Sequence, residues 1–132
     1  MASVTLRTSG AADPATAWER YVDPGLWSSW APQIQRVIAS TERLVAGTTG
    51  TVHAGLIPRP TLPVSFEVLA VDESRREWEW RARVGPISLR LEHGVTAEGD
   101  GAGTWLRVHG ALPLVLTYAP LARIALGRLV AA

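Results

Sequence analysis

The sequence has 132 residues, of which 47% are hydrophobic, and its formal net charge is +1. This composition argues against disorder and predicts one globular domain over residues 1–132. The near-zero charge argues against a basic surface for nucleic acid or anionic membrane, so we expect neither partner. Cysteine is absent, which excludes disulfides and thiol catalysis. Together with the lack of a secretory signal, it favours a reducing, cytoplasmic location.

The first part of the chain predicts one strand followed by two short helices. Residues Ala2–Ser9 alternate between apolar and polar side chains, as half-buried strands do. An Asp-Pro pair occurs at 13–14 and again at 23–24. Each pair places an N-cap aspartate before a first-turn proline, which predicts a helix to about Val22 and a second over Pro24–Trp30.

The middle of the chain predicts an antiparallel meander, because several stretches alternate and are separated by turn residues. Its clearest strand is Arg76–Val84, which puts Trp78 and Trp80 on one face and charged residues on the other. A proline-rich loop, Ile57–Pro63, and a glycine-rich turn, Glu98–Gly103, interrupt the pattern. The predicted strands are Arg36–Leu44, Thr48–Leu56, Val64–Val71, Arg76–Val84, Ile87–Thr96 and Thr104–Leu112.

The last stretch, Leu112–Ala132, is almost entirely apolar and must be covered by other residues or by lipid. A membrane span is the weaker alternative, because Arg123 and Arg128 lie inside the stretch and Pro120 divides it. We expect a helix from about Pro120, or a little earlier, to the end. Its apolar positions at three- and four-residue spacing are Leu121, Ile124, Ala125, Leu126 and Leu129.

These elements predict an α+β fold, in which a curved antiparallel sheet of about seven strands wraps around a C-terminal helix. Two short helices follow the first strand and carry Trp18, Trp27 and Trp30. The sequence has six tryptophans. Clustered tryptophans indicate either a packed core or the wall of a ligand cavity.

Several local strings resemble the START/Bet v 1-like (SRPBCC) superfamily, in particular its polyketide cyclase/dehydrase-like branch. The resemblance covers nearly the whole chain and rests on these segments: Asp13-Pro14 with Trp18, Leu26–Pro32, Pro63–Val71, Arg75–Ala82, Leu91–His93 and Gly103–Val108. It implies a helix-grip fold with an apolar cavity between sheet and helix, and it implies ligands such as lipids or polyketides. The terminal helix is expected to be shorter than is usual in the family, so the cavity is either more open or closed by a second subunit.

His93 is the sharpest candidate for chemistry, because it is in phase with Leu89 and Leu91 and so faces the apolar side of its strand. One interpretation is a polar group that orients a ligand or acts as a general base. The favoured interpretation is a buried histidine with a structural partner. Tyr118 offers the phenol expected to face the sheet, and His93 with Tyr118 would form the minimal pair for proton transfer.

The remaining candidates form an apolar wall. Trp78 and Trp80 point the same way and either line a cavity or pack in the core, with core packing somewhat favoured. Trp30 is placed to close one end of the cavity. The predicted ligand-binding residues are Trp30, Phe66, Val68, Trp78, Trp80, Leu89, Leu91, His93, Val108 and Tyr118.

The other polar residues receive weaker assignments. Glu67 interrupts an apolar strand, and its direction is ambiguous because it is in phase with Leu69 and Val71. We favour an outward charge over a buried carboxylate with a raised pKa. His53 and His109 are out of phase with their apolar neighbours, so we expect them to face outward. No metal site and no cofactor are expected, since no second ligand lies at a suitable spacing.

Three functions follow from these observations. The leading hypothesis is binding of an apolar or aromatic small molecule, lipid- or polyketide-like, between sheet and helix. The second is a cyclase or aromatase that uses His93 and Tyr118 to move protons. The third is an interaction module with a filled core, with homodimerisation through the terminal helix as one form of it.

Overall fold

The computed structural model describes residues 2–55, 62–110 and 112–132, and of residues 2 and 112–118 it describes the backbone alone. A seven-stranded sheet is covered on one side by two helical segments, and the last element of the chain is a long helix. The elements are β1 Ala2–Gly10, α1 Pro14–Val22, a 3₁₀ turn Pro24–Leu26, α2 Trp27–Trp30, β2 Ile34–Ala39, β3 Thr49–Ala54, β4 Leu62–Asp72, β5 Glu77–Val84, β6 Ile87–Glu98, β7 Gly101–Gly110 and α3 Leu112–Leu129.

Every strand pair in this sheet is antiparallel, and the spatial order is β1-β7-β6-β5-β4-β3-β2. Strands β2 to β7 therefore follow one another as hairpins, and β1 joins the far side by pairing with β7. The α+β helix-grip architecture predicted from the sequence is confirmed. Short connections explain the meander, because antiparallel strands can be joined by tight turns.

Both aspartate caps predicted from the sequence are present. The Asp13 carboxylate accepts the backbone N–H of Ala15 at 3.1 Å, and the Asp23 carboxylate accepts that of Gly25 at 2.9 Å. Helix α1 buries Ala17, Trp18, Tyr21 and Val22 against the sheet. The caps thus begin each helical segment where the apolar face of α1 and the indoles of α2 can cover the concave side.

Helix α3 packs against β1 and β7. Its buried positions are Ala122, Ala125, Leu126 and Leu129, a spacing of three and four residues. Arg20 fastens its C-terminus by donating to the carbonyls of Leu129 and Ala131, each at 2.7 Å. Among the described residues, no helix is long and apolar enough to cross a membrane.

Several predicted boundaries were wrong. Helix α3 begins at Leu112, well before Pro120, because a proline inside a helix removes one hydrogen bond without ending a helix that packing supports. Ile124 is 50% exposed and does not face the core. Strand β2 ends at Ala39, and the chain then turns so that the backbone N–H of Leu44 can bond to the Val22 carbonyl.

The predicted loop Ile57–Pro63 lies largely outside the described residues, but its end is visible. Pro63 is already part of β4, where it stands opposite His53. This is tolerated because proline is accepted near the first residue of a strand. The glycine-rich turn is shorter than predicted, since Glu98 and Gly101 are paired and Gly99 adopts a φ of 56°.

A glycine is required at position 94, because a neighbouring aromatic ring on the outer face of the sheet occupies the space that a side chain would need. It stands opposite Trp105, and a Cβ built at Gly94 would collide with that indole. We predict that Gly94→Ala lowers the free energy of unfolding by roughly 1–3 kcal/mol, because the ring or the strand must shift. Urea denaturation followed by circular dichroism measures the change.

Gly127→Ala is the matched control. A Cβ at Gly127 meets no atom within 4 Å, and the residue lies inside α3. This variant should raise the free energy of unfolding by about 0.5–1 kcal/mol, because alanine loses less entropy in a helix than glycine. A Gly94→Ala protein as stable as the wild type would contradict the collision.

Candidate functional site

A cavity of about 420 Å³ lies between the concave face of the sheet and α3, and we call it the large cavity. It is partly open to solvent. Leu121 contributes the wall on the helix side, and the indole of Trp80 contributes an aromatic wall. The aliphatic lining on the strands includes Val52, Val64, Ala82, Val84, Leu89 and Leu91.

Gln33 gives the large cavity its polar side chain, since the other described lining residues are aliphatic, glycine or the indole of Trp80. It follows α2 and directly precedes β2. Its side-chain oxygen, Oε1, is buried and has no hydrogen-bond partner in the described structure. Leaving a buried polar atom unpaired costs about 1–3 kcal/mol, so this oxygen marks a place where a partner would be stabilising.

A second cavity of about 30 Å³ adjoins the first, and we call it the small cavity. Gln33, Ile34 and Trp80 line both cavities. Trp78 also lines the small cavity, and its indole Nε1 is the second buried atom without a partner in the described structure. An unpaired donor and an unpaired acceptor therefore line the same small space.

An aromatic cluster fills the concave face around the small cavity, and four of its rings line that cavity, those of Trp27, Trp78, Trp80 and His93. Trp78 stacks on Trp80 with ring centroids 5.5 Å apart and on His93 at 4.6 Å. Trp27 covers this stack from α2, at 5.5 Å from Trp80 and 5.4 Å from Phe66. Large rings exclude space at this end of the strands, so the large cavity is confined to the other end.

His93 is held on both ring nitrogens. The indole Nε1 of Trp80 donates to Nε2 of His93 at 2.9 Å, which leaves the proton of the neutral ring on Nδ1. That nitrogen stands 3.2 Å from the hydroxyl of Tyr21. The Tyr21 hydroxyl in turn lies 2.6 Å from Oγ1 of Thr104, which donates to the Gly94 carbonyl at 2.8 Å.

Burial sets the protonation state of this histidine. His93 is 3% exposed, and its desolvation lowers the pKa from 6.5 to about 3. The ring is therefore neutral near pH 7, and Nε2 already accepts a hydrogen bond from the Trp80 indole. This arrangement is the structural interpretation favoured from the sequence, and it opposes the interpretation of His93 as a general base.

Tyr21 is a phenol that reaches the sheet beside His93, and the expectation that Tyr118 faces the sheet stays a prediction. The side chain of Tyr118 lies outside the described part of the chain. Sequence reasoning did not single out Tyr21 as a site residue. Its phase with Ala17 and Trp18 on the buried face was the available signal.

The structure distributes the predicted wall residues over three places. Trp80, Leu89 and Leu91 line the large cavity, whereas Trp30, Trp78 and His93 line the small one. Phe66, Val68 and Val108 are buried in the core and are not among the described lining residues of either cavity. The residues that were missed lie further along the same faces and include Val52, Val64, Ala82, Val84 and Gln33.

Glu67 is exposed, which agrees with the favoured interpretation. A register shift in β4 between Val68 and Ala70 changes the phase of the strand, so Val71 packs on the core although Glu67 faces out. On the outer face His109 lies 2.7 Å from the Glu92 carboxylate. His53 is half-buried in β3.

Among residues 2–55, 62–110 and 112–132, no group of three histidine, aspartate or glutamate side chains is placed to hold a metal ion. An exposed ion-pair group joins α1, the segment after β2 and the turn after β4. There Arg43 bonds to Glu19 and Glu73 at 2.8 Å each, and its hydrogen bond holds the pKa of Glu73 below its usual range. This exposed group joins the three segments at the protein surface, and none of its residues is among the described lining residues of the two cavities.

Solved structures with the same architecture are found in several organisms. The chain is similar to Ara h 8.0201 with a TM-score of 0.71 and 15% identity, covering 97% of each chain. It is similar to the ginseng major latex-like protein 151 from Panax ginseng with a TM-score of 0.75 and 16% identity, covering 94% of this chain and 91% of that one. Protein CV1439 from Chromobacterium violaceum gives 0.75 and 14%, covering 96% and 93%.

These similarities and the observed topology define a helix-grip fold. The chain belongs to the family described as polyketide cyclase / dehydrase and lipid transport, whose sequence model matches residues 1–132. A search of curated proteins finds no match. The resemblance recognised in the sequence is thereby confirmed, and the family and fold suggest a protein for hydrophobic ligands.

We predict that His93 makes the fold sensitive to acid. Its pKa is 6.5 in the unfolded reference and about 3 in the folded protein, so the unfolded chain binds the extra proton between these values. The stabilisation is complete above about pH 6.5 and is lost as the pH falls towards 3, at about 1.4 kcal/mol per pH unit. Urea denaturation at about pH 7.5 and about pH 5 measures this slope.

His93→Phe keeps an aromatic ring in the stack and removes the titrating group. Its free energy of unfolding should be lower at neutral pH, because Trp80 and Tyr21 lose a hydrogen-bond partner, and it should depend less on pH than that of the wild type. His53→Phe, at a half-buried position in β3, is the control and should keep the wild-type slope. Equal slopes in all three proteins would show that His93 titrates normally.

Proposed function

We propose that this protein binds an apolar or aromatic small molecule, of lipid or polyketide type, in the large cavity. The observation that carries the proposal is a space of about 420 Å³ walled by aliphatic side chains and one indole. Sites for small molecules have volumes of about 300–1,000 Å³ and are mostly apolar. The lipid transport named in the family description supports the same class of ligand.

The energetics of the lining favour binding over chemistry. Water in such a cavity finds few hydrogen-bond partners, so its replacement by an apolar ligand is favourable at about 25 cal/mol per Å² of apolar surface buried. A ligand also covers the side chains at the mouth, where Leu62 is 52% and Ile87 44% exposed. Apolar burial supplies affinity, and Gln33 supplies one polar contact.

A cyclase or aromatase requires groups that exchange protons with the ligand. His93 lines the small cavity, but both of its nitrogens are engaged and its pKa is about 3. Burial in this network makes it a structural group. The pair of His93 with Tyr118 therefore gains no support from the described residues, and we propose binding in preference to catalysis.

The neutral fluorophore N-phenyl-1-naphthylamine tests the proposal, because its emission rises in apolar surroundings. We predict saturable binding to the wild type with energy transfer from Trp80, which lines the large cavity. Ala82→Trp should weaken binding roughly tenfold or more, because an indole at this inward position fills the space that the probe needs. Titration of the fluorophore at fixed protein concentration measures both affinities.

Ser88→Trp is the matched control, since it adds the same indole to the same β5–β6 hairpin on the opposite, exposed face. It should bind the probe as the wild type does. Equal affinity of all three proteins would place the probe outside the large cavity and overturn the proposal. Native mass spectrometry of the same samples detects a retained ligand and the subunit number, which tests closure of the cavity by a second copy.

A further inference from the structure

Two buried polar atoms on residues that line the small cavity have no partner in the described structure, and they are complementary. Oε1 of Gln33 accepts hydrogen bonds, and Nε1 of Trp78 donates one. Both residues line the small cavity. Trp78 is 4% exposed, so solvent does not compensate its N–H. Each atom is stabilised only when a partner enters.

The dimensions of the small cavity limit what that partner is. Its volume of about 30 Å³ accommodates a group of the size of water, which needs roughly 10–15 Å³ in the same measure, but not a ring. Gln33, Ile34 and Trp80 border both cavities. A small polar group at the end of an apolar ligand therefore reaches this space while the rest of the ligand stays in the large cavity.

The chemistry of the two atoms selects the group. A hydroxyl accepts one hydrogen bond and donates another, so it satisfies the Trp78 N–H and the Gln33 oxygen together. A carboxylate only accepts hydrogen bonds and would be repelled by the Gln33 oxygen. An ammonium only donates and would be repelled by the Trp78 N–H. Among the described residues that line either cavity, none is acidic, and the basic one, His93, is neutral. A charged group on the ligand would therefore find no opposite charge there.

We infer that the ligand is an apolar alcohol or phenol whose hydroxyl occupies the small cavity, accepting from Nε1 of Trp78 and donating to Oε1 of Gln33. The inference rests on the proposed function and narrows its ligand class. Gln33 then determines specificity, because a ligand without a hydroxyl leaves two buried groups unpaired. The aliphatic walls contribute affinity without distinguishing between such ligands.

Three probes with the same ring system test the inference by isothermal titration calorimetry. Naphthalene offers no polar group, 2-methoxynaphthalene accepts but does not donate, and 2-naphthol does both. We expect the wild type to bind 2-naphthol roughly tenfold more tightly than either of the others, because both buried atoms are then paired.

Gln33→Met replaces the amide by an apolar group of similar length and should reduce the preference for 2-naphthol over naphthalene to less than about twofold. Gln35→Met is the matched control. Gln35 is an exposed neighbour whose amide donates to the Gly55 carbonyl at 3.3 Å, and its loss should leave the preference unchanged.

The outcomes separate the two proposals. Equal affinity of the wild type for all three probes, together with binding of N-phenyl-1-naphthylamine, overturns the hydroxyl site and leaves the proposed function standing; a bound water then serves the two atoms. A preference that survives in Gln33→Met overturns the role of Gln33. If none of the four probes binds, the proposed function is overturned and the inference with it.

Discussion

The structure depends on the direction of the hydrogen bonds in a buried network of polar side chains that runs from Trp80 through His93 and Tyr21 to Thr104. An indole N–H only donates, so Trp80 requires His93 to accept on Nε2 and to carry its proton on Nδ1. Tyr21 and Thr104 continue this order to the Gly94 carbonyl, and the network thereby joins β5, β6, β7 and α1. A buried network of this kind specifies one arrangement of its parts, because each unpaired member would cost free energy.

This network and the tryptophans around it divide the concave face into two regions. One end of β4, β5 and β6 is closed by rings that pack on one another, with Trp27 supplied by α2. The other end carries smaller side chains, such as Ala82 and Val64, and stays open. The polar groups of His93, Tyr21 and Thr104 are thus paired with one another at the closed end, and the open end keeps an apolar character with Gln33 at the boundary.

The sequence predicted the fold well, because alternation and Asp-Pro caps act over a few residues. The boundaries of α3 and β2 were harder, since tertiary packing carries α3 through Pro120 and the Leu44 segment turns to meet α1. At the site, alternation identified the inward face but not which part of it is filled. Tyr21 and Gln33 lie outside the strands. The position of Tyr21 beside His93, and that of Gln33 in the lining of the small cavity, depend on how α1 and the segment before β2 fold over the sheet.

The pairing of β1 with β7 has a consequence for how the chain folds. Ala2 stands opposite Gly110, and the backbone N–H of Ala12 bonds to the carbonyl of Val130, so the earliest residues find their partners among the latest. Contacts that close such long loops are slow to form, because the chain loses conformational entropy before the new contacts stabilise it. During synthesis, β1 must therefore wait without its neighbour until β7 has left the ribosome, and in that interval its unpaired backbone groups are open to pairing with another chain.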